Sequence, residues 1–415
     1  LQVARLIAIF SAFKPDIFHN IARLHLQGGR MTRFHPESPE ITQDSLSRLR
    51  FIADVRKQMH ASLSKGNRGA YETDIAPTVD VAAPMAERRA AVRDALEQHP
   101  YFRGWSSMLL ASQDLMWRVV GQSVAHDTER MRLRLKALGN QARGSVTLNP
   151  DLNGPDYIVR ADVHRMPGGY MGPGGDEDMQ AGALYDLGGA IYQLGIGNKA
   201  GGLLNDSRGR TLVAHLRTRF PNFAPSRILD MGCGVGHNTV PLAAAFPDAH
   251  VTGIDVGAPL LRYAHLRAEG LGHAVHFMQD DAEHTQFEDG SFDLVVSQIM
   301  LHETSNAAAA RIIAESRRLL RPGGVAVHLE VPLRAEEGDD FDQVMWLWEQ
   351  HYNAEPNISG VMDDDLAGMA LAAGLSNVEL GYQAIPQAGS EHSAFMSRKT
   401  SKGFGFWLIL SGVAQ

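Results

Sequence analysis

Three aspartates, each at the end of a short apolar run, are the residues whose spacing first suggests a chemistry. One run ends in Asp230-Met231-Gly232-Cys233-Gly234-Val235-Gly236. About 20 residues on, a second ends in Gly253-Ile254-Asp255, and a third ends in Gln279-Asp280-Asp281-Ala282. The glycines allow a tight turn and let a ligand come close to the backbone. A helix opening behind them offers its first amides and the positive end of its dipole. Dinucleotide enzymes also use a glycine-rich loop, but their G-x-G-x-x-G pattern would put a third glycine where this chain has His237. Asp230 disfavours a pyrophosphate and suits the ammonium of an amino-acid-like group. A carboxylate at Asp255 accepts from both hydroxyls of a ribose. At Asp281 a carboxylate accepts from the exocyclic amine of adenine, while a neighbouring N–H donates to the ring. Each aspartate taken singly reads equally well as a solvated strand end or a helix cap; their recurrence after three successive runs points to an adenosine.

These residues must be held by regular elements, and the pattern supplies them. From Ser226 onward, apolar runs at 227–231, 251–255, 275–279, 294–297 and 324–329 alternate with helix-like stretches at 238–246, 259–268 and 307–320. Continuous apolar strands between helices indicate βαβ units and a parallel sheet covered on both faces. Ligands on such sheets bind beyond the carboxyl ends of the strands, where the three aspartates fall. Upstream, Leu46, Leu49, Ile52, Val55 and Met59 recur at helical spacing, as do Trp105, Met108, Leu109, Leu115, Met116 and Val119. The chain therefore divides into a mainly helical region (1–165), a glycine-rich linker or lid (166–182) and an α/β domain (183–415). Within 166–175, five glycines and two prolines are too dense for a regular element.

The segment Leu229-Asp230-Met231-Gly232-Cys233-Gly234-Val235-Gly236 resembles the glycine-rich motif of class I S-adenosylmethionine (SAM)-dependent methyltransferases. Phe287-Glu288-Asp289-Gly290-Ser291-Phe292-Asp293-Leu294-Val295-Val296-Ser297 resembles the approach to their fourth strand, and Leu319-Leu320-Arg321-Pro322-Gly323-Gly324 the turn before their fifth. Order and spacing are similar to the type that includes the ubiquinone and menaquinone biosynthesis enzymes. The resemblance implies a Rossmann-like sheet of seven strands, the last antiparallel at its far side, for which Phe406-Trp407-Leu408-Ile409-Leu410 is the candidate. It implies that Asp230 and Gly232 face the methionine moiety, that Gly234 and Gly236 shape the loop, and that Asp255 binds the ribose. Val256 would then pack on the adenine, Asp281 and Ala282 would read its edge, and Gln298 and Tyr185 would lie near the cofactor.

The acceptor is less legible. Methyl transfer needs donor and acceptor aligned, and a hydroxyl acceptor gains from a general base. After the fourth strand comes Leu301-His302-Glu303-Thr304, a place where small-molecule O-methyltransferases carry a catalytic histidine followed by an acid. That resemblance implies His302 as base, held by Glu303; a structural or cofactor-side histidine is the other reading. Beyond the fifth strand, Trp346, Trp348, His351 and Tyr352 could sandwich a planar substrate or pack against the helical region.

Composition narrows the remaining choices. A net charge of −8 builds in no attraction to nucleic acid or an anionic membrane. One cysteine excludes an internal disulfide and a cysteine-based zinc cluster, and no metal site is expected. No apolar run has the length of a membrane span, and the apolar opening 1–13 does not read as a secretory signal. The first methionine is Met31, and nothing functional rests on the first thirty positions. The expectation is a cytoplasmic SAM-dependent methyltransferase acting on a small molecule, most simply at oxygen. Its helical region would cover the site, form a homodimer, or both. Methylation at nitrogen or carbon, a protein acceptor, non-methylating SAM chemistry and, more remotely, an NAD-dependent oxidoreductase are the alternatives.

Overall fold

The computed structural model describes residues 33–172, 175, 177–196, 204–387, 389–399 and 405–415. The apolar opening 1–13, Met31, and Pro173 and Gly174 of the glycine-rich segment lie outside them.

Among the described residues the sheet has nine strands in the order β1-β4-β3-β2-β5-β6-β9-β7-β8. Its parallel centre is β2 (Arg227–Met231), β3 (His250–Asp255), β4 (His276–Gln279), β5 (Phe292–Gln298) and β6 (Leu320–Glu330). All seven residues of β5 are buried, as a strand between two covered faces requires. The five apolar runs read from the sequence are these five strands. β9 (Phe406–Ala414) is antiparallel as expected, yet it is not at the far side. It inserts between β6 and β7 (Leu375–Ala384), because its residues are almost all buried and need a neighbour on each edge. The seven expected strands are extended by β8 (Phe395–Met396) beside β7, and by β1 (Ser145–Thr147), which pairs parallel with β4. β1 comes from the region read as helical, so residues upstream of the linker complete the edge of the sheet.

That upstream region is otherwise helical: α1 (Gln43–Gln58), α2 (Ser64–Ala70), α3 (Met85–Gln98), α4 (Pro100–Leu138) and the single turn α5 (Asp156–Val159). Thr42 caps α1 by accepting from the Ser45 amide, and proline opens α4 where its missing N–H costs nothing. Leu46, Leu49 and Ile52 are buried as their spacing predicts, and so are Trp105, Leu109, Met116 and Val119. Met108 and Leu115 are not: they lie 46% and 40% exposed on the outer side of α4. One core unites α1 and α4 with α6 (Gln180–Gly195) and with Leu260, Tyr263 and Leu266 of α9 (Ala258–Gly270), binding the helical region to the sheet.

The covering helices are α6, α7 (Ser207–Arg219), α8 (Thr239–Ala245), α9, α10 (Asn306–Leu319), α11 (Asp340–Trp346), α12 (Trp348–Tyr352), α13 (Ile358–Asp363) and α14 (Leu366–Ala372). Ser305 caps α10 through the Ala308 amide. No helix among the described residues is long and apolar enough to cross a membrane.

Candidate active site

A cavity lined by 21 residues opens beyond the carboxyl ends of β2–β5, where ligands of such sheets bind. Its floor is backbone. Gly232 and Gly234 turn through positive φ (65° and 53°), a conformation that favours glycine. A Cβ on Gly234 would project to 3.8 Å from the Tyr185 ring, and one on Gly232 would strike the Met300 side chain. The Asp255 carboxylate accepts from the amides of Gly234 and Gly257, both at 2.9 Å, so the end of β3 is tied to the glycine loop. Burial raises the pKa of Asp255 above the ordinary carboxylate value. Val256, Asp281, Ala282 and Gln298 line the same cavity. Asp281 turns on itself to accept from the Glu283 amide at 2.9 Å.

His237, where a dinucleotide loop would have its third glycine, also lines the cavity. Its Nε2 lies 2.7 Å from Asp186, which also takes His35 at 2.6 Å and the Tyr263 hydroxyl at 2.7 Å. Burial opposes a charged Asp186, but His35, His237 and Arg267 hold its carboxyl well below the usual range. Burial pulls the His237 imidazole down to about 4, so it is neutral and donates through Nε2. Nδ1 is thereby left as a buried acceptor with no partner.

The roof comes from the upstream region. Pro155, Tyr157, Ile158 and Tyr170 line the cavity, and Tyr170 is the only aromatic residue in the glycine-rich segment. Its hydroxyl donates to Glu303 Oε1 at 3.0 Å, and its ring meets Tyr185 edge-on at 5.6 Å. Close by, His164 lies 3.3 Å from Glu303 and 2.7 Å from Glu355. His164 has a positive φ of 57°, costly for a side-chain-bearing residue. Its carbonyl is gripped by Gln113 Nε2 at 2.9 Å and Trp117 Nε1 at 2.8 Å, so α4 enforces the turn.

Residues 228–324 match the family of methyltransferase domains. The matched stretch includes the residues that follow β2, β3 and β4 and line the cavity. The chain carries a class I SAM-dependent methyltransferase domain. A demethylmenaquinone methyltransferase of Thermus thermophilus is 38% identical over 26% of this chain and 49% of its own length. A malonyl-[acyl-carrier protein] O-methyltransferase of Methylococcus capsulatus is 36% identical over 28% of this chain and 40% of its own. The matches thus span about half the length, or less, of these two relatives. Among solved structures, a SAM-dependent methyltransferase from Thermotoga maritima, described as a possible histamine N-methyltransferase, is 18% identical with a TM-score of 0.36. That match covers 50% of this chain and 91% of the other.

Within the methyltransferase domain, most of the residues read from the sequence are brought together and some are not. Gly232, Gly234, Asp255, Val256, Asp281, Ala282, Gln298, Tyr185 and Glu303 line one cavity. Gly236 sits behind it, closing a turn to the Cys233 carbonyl at 2.9 Å. Asp230 does not face the cavity. It is wholly buried, with its carboxylate engaged by Asn238 Nδ2 at 3.0 Å and Thr239 Oγ1 at 2.6 Å at the start of α8. Burial raises its pKa to about 7.

His302 does not line the cavity either. Its Nδ1 lies 2.6 Å from Glu330 at the end of β6. Burial disfavours the imidazolium, but Glu330 more than reverses this and lifts the pKa to about 9. A histidine protonated at neutral pH has no lone pair to receive a proton, so this site does not suit a general base. Trp348 and Tyr352 are likewise turned away, toward the helical region. Trp348 donates to Ser106 Oγ at 2.8 Å and meets Trp105 edge-on at 5.7 Å, and Tyr352 donates to Glu97 at 2.8 Å. Trp346 packs in a separate cluster with Ala335, Leu347 and Met362. His351 lies beside Tyr352, and none of the four lines the cavity. Trp348 and Tyr352 pack against α3 and α4 because α12 lies there rather than over the strand ends, and His351 is exposed.

The sequence reading missed His237, Tyr157, Tyr170, His164 and Glu355. His237 had a signal, since it breaks the dinucleotide pattern. Tyr170 had one as a lone aromatic among turn formers. For His164 and Glu355, which meet across 191 positions, there was none.

Proposed function

We propose that the protein transfers the methyl group of SAM to a small molecule, at oxygen. The observation that carries this is the Asp255 carboxylate held by the Gly234 and Gly257 amides at the mouth of β3. Each of its oxygens keeps a further lone pair for a ribose hydroxyl. The residues fit the cofactor: Val256 and Ala282 on the cavity lining would flank the adenine, with Asp281 to accept from its amine. The unpartnered Nδ1 of His237 would accept from the ammonium of the methionine moiety, the role first given to Asp230. Bound SAM supplies an electrophilic methyl. The chain's own contribution is alignment, with the Tyr157–Ile158 and Tyr170 segments closing the mouth against water. The helical region acts on this reading as a cover whose long helix α4 fixes His164 over the acceptor side. Two features support oxygen as the acceptor atom: the glutamate on the cavity wall and the likeness to enzymes named as O-methyltransferases.

Calorimetric titration with S-adenosylhomocysteine, repeated with NADH, is the direct test. Micromolar binding of the first alone is expected. Asp255→Ala should weaken it by about 1–3 kcal/mol through loss of the ribose contacts. Binding of NADH alone, or an affinity unchanged by the substitution, would overturn the assignment.

A further inference from the structure

We infer that Glu303, and not His302, receives the proton of the acceptor, and that the acceptor therefore presents a hydroxyl group to the wall formed by Glu303 and Tyr170. This deepens the methyl-transfer reading above and rests on it.

Glu303 ends the turn Leu301–Glu303 that follows β5, and it is the carboxylate on the cavity wall that is not committed to backbone amides. The other carboxylates lining the cavity are Asp255, Asp280 and Asp281, at the ends of β3 and β4. Asp255 accepts from Gly234 and Gly257, Asp280 from Asp281 and Gln286, and Asp281 from Glu283. In Glu303 only Oε1 is engaged, by the Tyr170 hydroxyl at 3.0 Å, with His164 Nε2 at 3.3 Å and His302 Nε2 at 3.7 Å. Oε2 is buried and has no hydrogen-bond partner. A buried carboxylate oxygen without a donor is costly, and a bound hydroxyl would relieve that cost.

The charges around it favour the same group. His302 has Glu330 at 2.6 Å and His164 has Glu355 at 2.7 Å, so each imidazole has its own carboxylate and Glu303 is the third. Burial works against a charged His164, yet Glu355 and Glu303 hold it well above its ordinary value. Burial and Glu303 likewise push the Tyr170 phenol well up. Both imidazoles and the phenol are thus donors at neutral pH, and Glu303 is the acceptor among them. His237, the imidazole that does line the cavity, stands at the glycine loop and is pinned by Asp186. In the transfer the acceptor oxygen bonds to the methyl carbon as the carbon–sulfur bond breaks. The electron pair stays on sulfur, giving S-adenosylhomocysteine, and the hydroxyl proton passes to Glu303, which later releases it to water.

The test uses the whole chain saturated with S-adenosylhomocysteine and paired fragments that differ by one methyl: phenol with anisole, benzyl alcohol with benzyl methyl ether. Ligand-observed NMR should show each hydroxyl member binding about tenfold tighter than its ether, as for one hydrogen bond to a charged group. In Glu303→Gln that preference should shrink to about threefold or less, since a neutral acceptor bonds less strongly. The variant's affinity for S-adenosylhomocysteine should stay the same. Any alcohol methylated by the wild type should turn over about 10²–10⁴ times more slowly in the variant. Hydroxyl and ether fragments binding alike, including not at all, would overturn the inference. So would a preference that survives Glu303→Gln, or a variant that weakens SAM but not S-adenosylhomocysteine, which would place Glu303 at the sulfonium. A wild type that fails to bind S-adenosylhomocysteine would instead overturn the methyl-transfer reading.

Discussion

The two sides of the cavity are built by different means. On the cofactor side the groups are backbone amides and aspartates of three successive strand ends, and their contacts are short in sequence. Gly257 and Glu283 each reach an aspartate 2 positions away, and Gly234 reaches Asp255 across 21. On the other side the groups are side chains from distant elements: Tyr170 meets Glu303 across 133 positions, and behind them His164 meets Glu355 across 191. A backbone site tolerates drift in its neighbours, because the turn itself supplies the donors. A side-chain site exists only while helices far apart in the chain stay packed. On the proposed reading, the half written in short stretches of chain would hold SAM and the half assembled from distant elements would meet the acceptor.

The most disruptive way to test that contrast is at Trp348, 4% exposed and wedged between Trp105 and Ser106. Trp348→Ala should lower the unfolding free energy by about 3–5 kcal/mol through loss of a large buried side chain, measured by urea denaturation. Affinity for S-adenosylhomocysteine should be unchanged below the transition. If stability holds and only acceptor turnover falls, Trp348 belongs to the substrate site after all.

His302 sharpens the comparison through pH. Its proton is held more tightly in the folded chain (about 9) than in an unfolded one (about 6.5). The stabilisation is therefore fully present below about pH 6.5 and is lost as pH rises toward 9. Its size is on the order of 3 kcal/mol from a shift of that extent. Denaturation of wild type and His302→Gln at pH 6 and pH 9 should show their stability difference moving by that amount in favour of the variant. A difference constant with pH would mean that the pair with Glu330 is not charged.

The smallest effect is expected at His237. His237→Phe should weaken S-adenosylhomocysteine by about 1.5 kcal/mol, one hydrogen bond to a charged group. It should leave 5′-methylthioadenosine, which lacks the amino-acid portion, unaffected. Equal weakening of both would move His237 from ammonium recognition to shaping of the loop.

How much of this was legible in advance follows the same division. The strands β2 to β6, the glycine turn and the aspartates after β3 and β4 could be read because each is written in a few adjacent residues. Asp230 was misread because a carboxylate before the glycines can turn outward to a ligand or inward to a helix start. Asn238 and Thr239, which decide the matter, look like ordinary helix-cap residues. His302 and Glu303 were seen as a pair, and the structure puts Glu303 on the cavity wall and His302 behind it. Neighbours in sequence share a turn, but Glu330 from β6 claims the histidine and Tyr170 from the roof leaves the glutamate on the cavity wall.

The sequence by itself determined the parallel sheet, the methyltransferase type of its glycine loop and the strand ends at which the cavity lies. Periodicity and turn chemistry are local properties of the chain. Tertiary structure alone decided that β9 would lie inside the sheet, that β1 would join it from upstream, and that Trp348 would face α3 and α4. It also decided that a strained His164 would be held over Glu303 by Trp117 and Gln113. Those outcomes depend on which buried surfaces and which charges meet across more than a hundred residues, and no local pattern encodes a partner that far away.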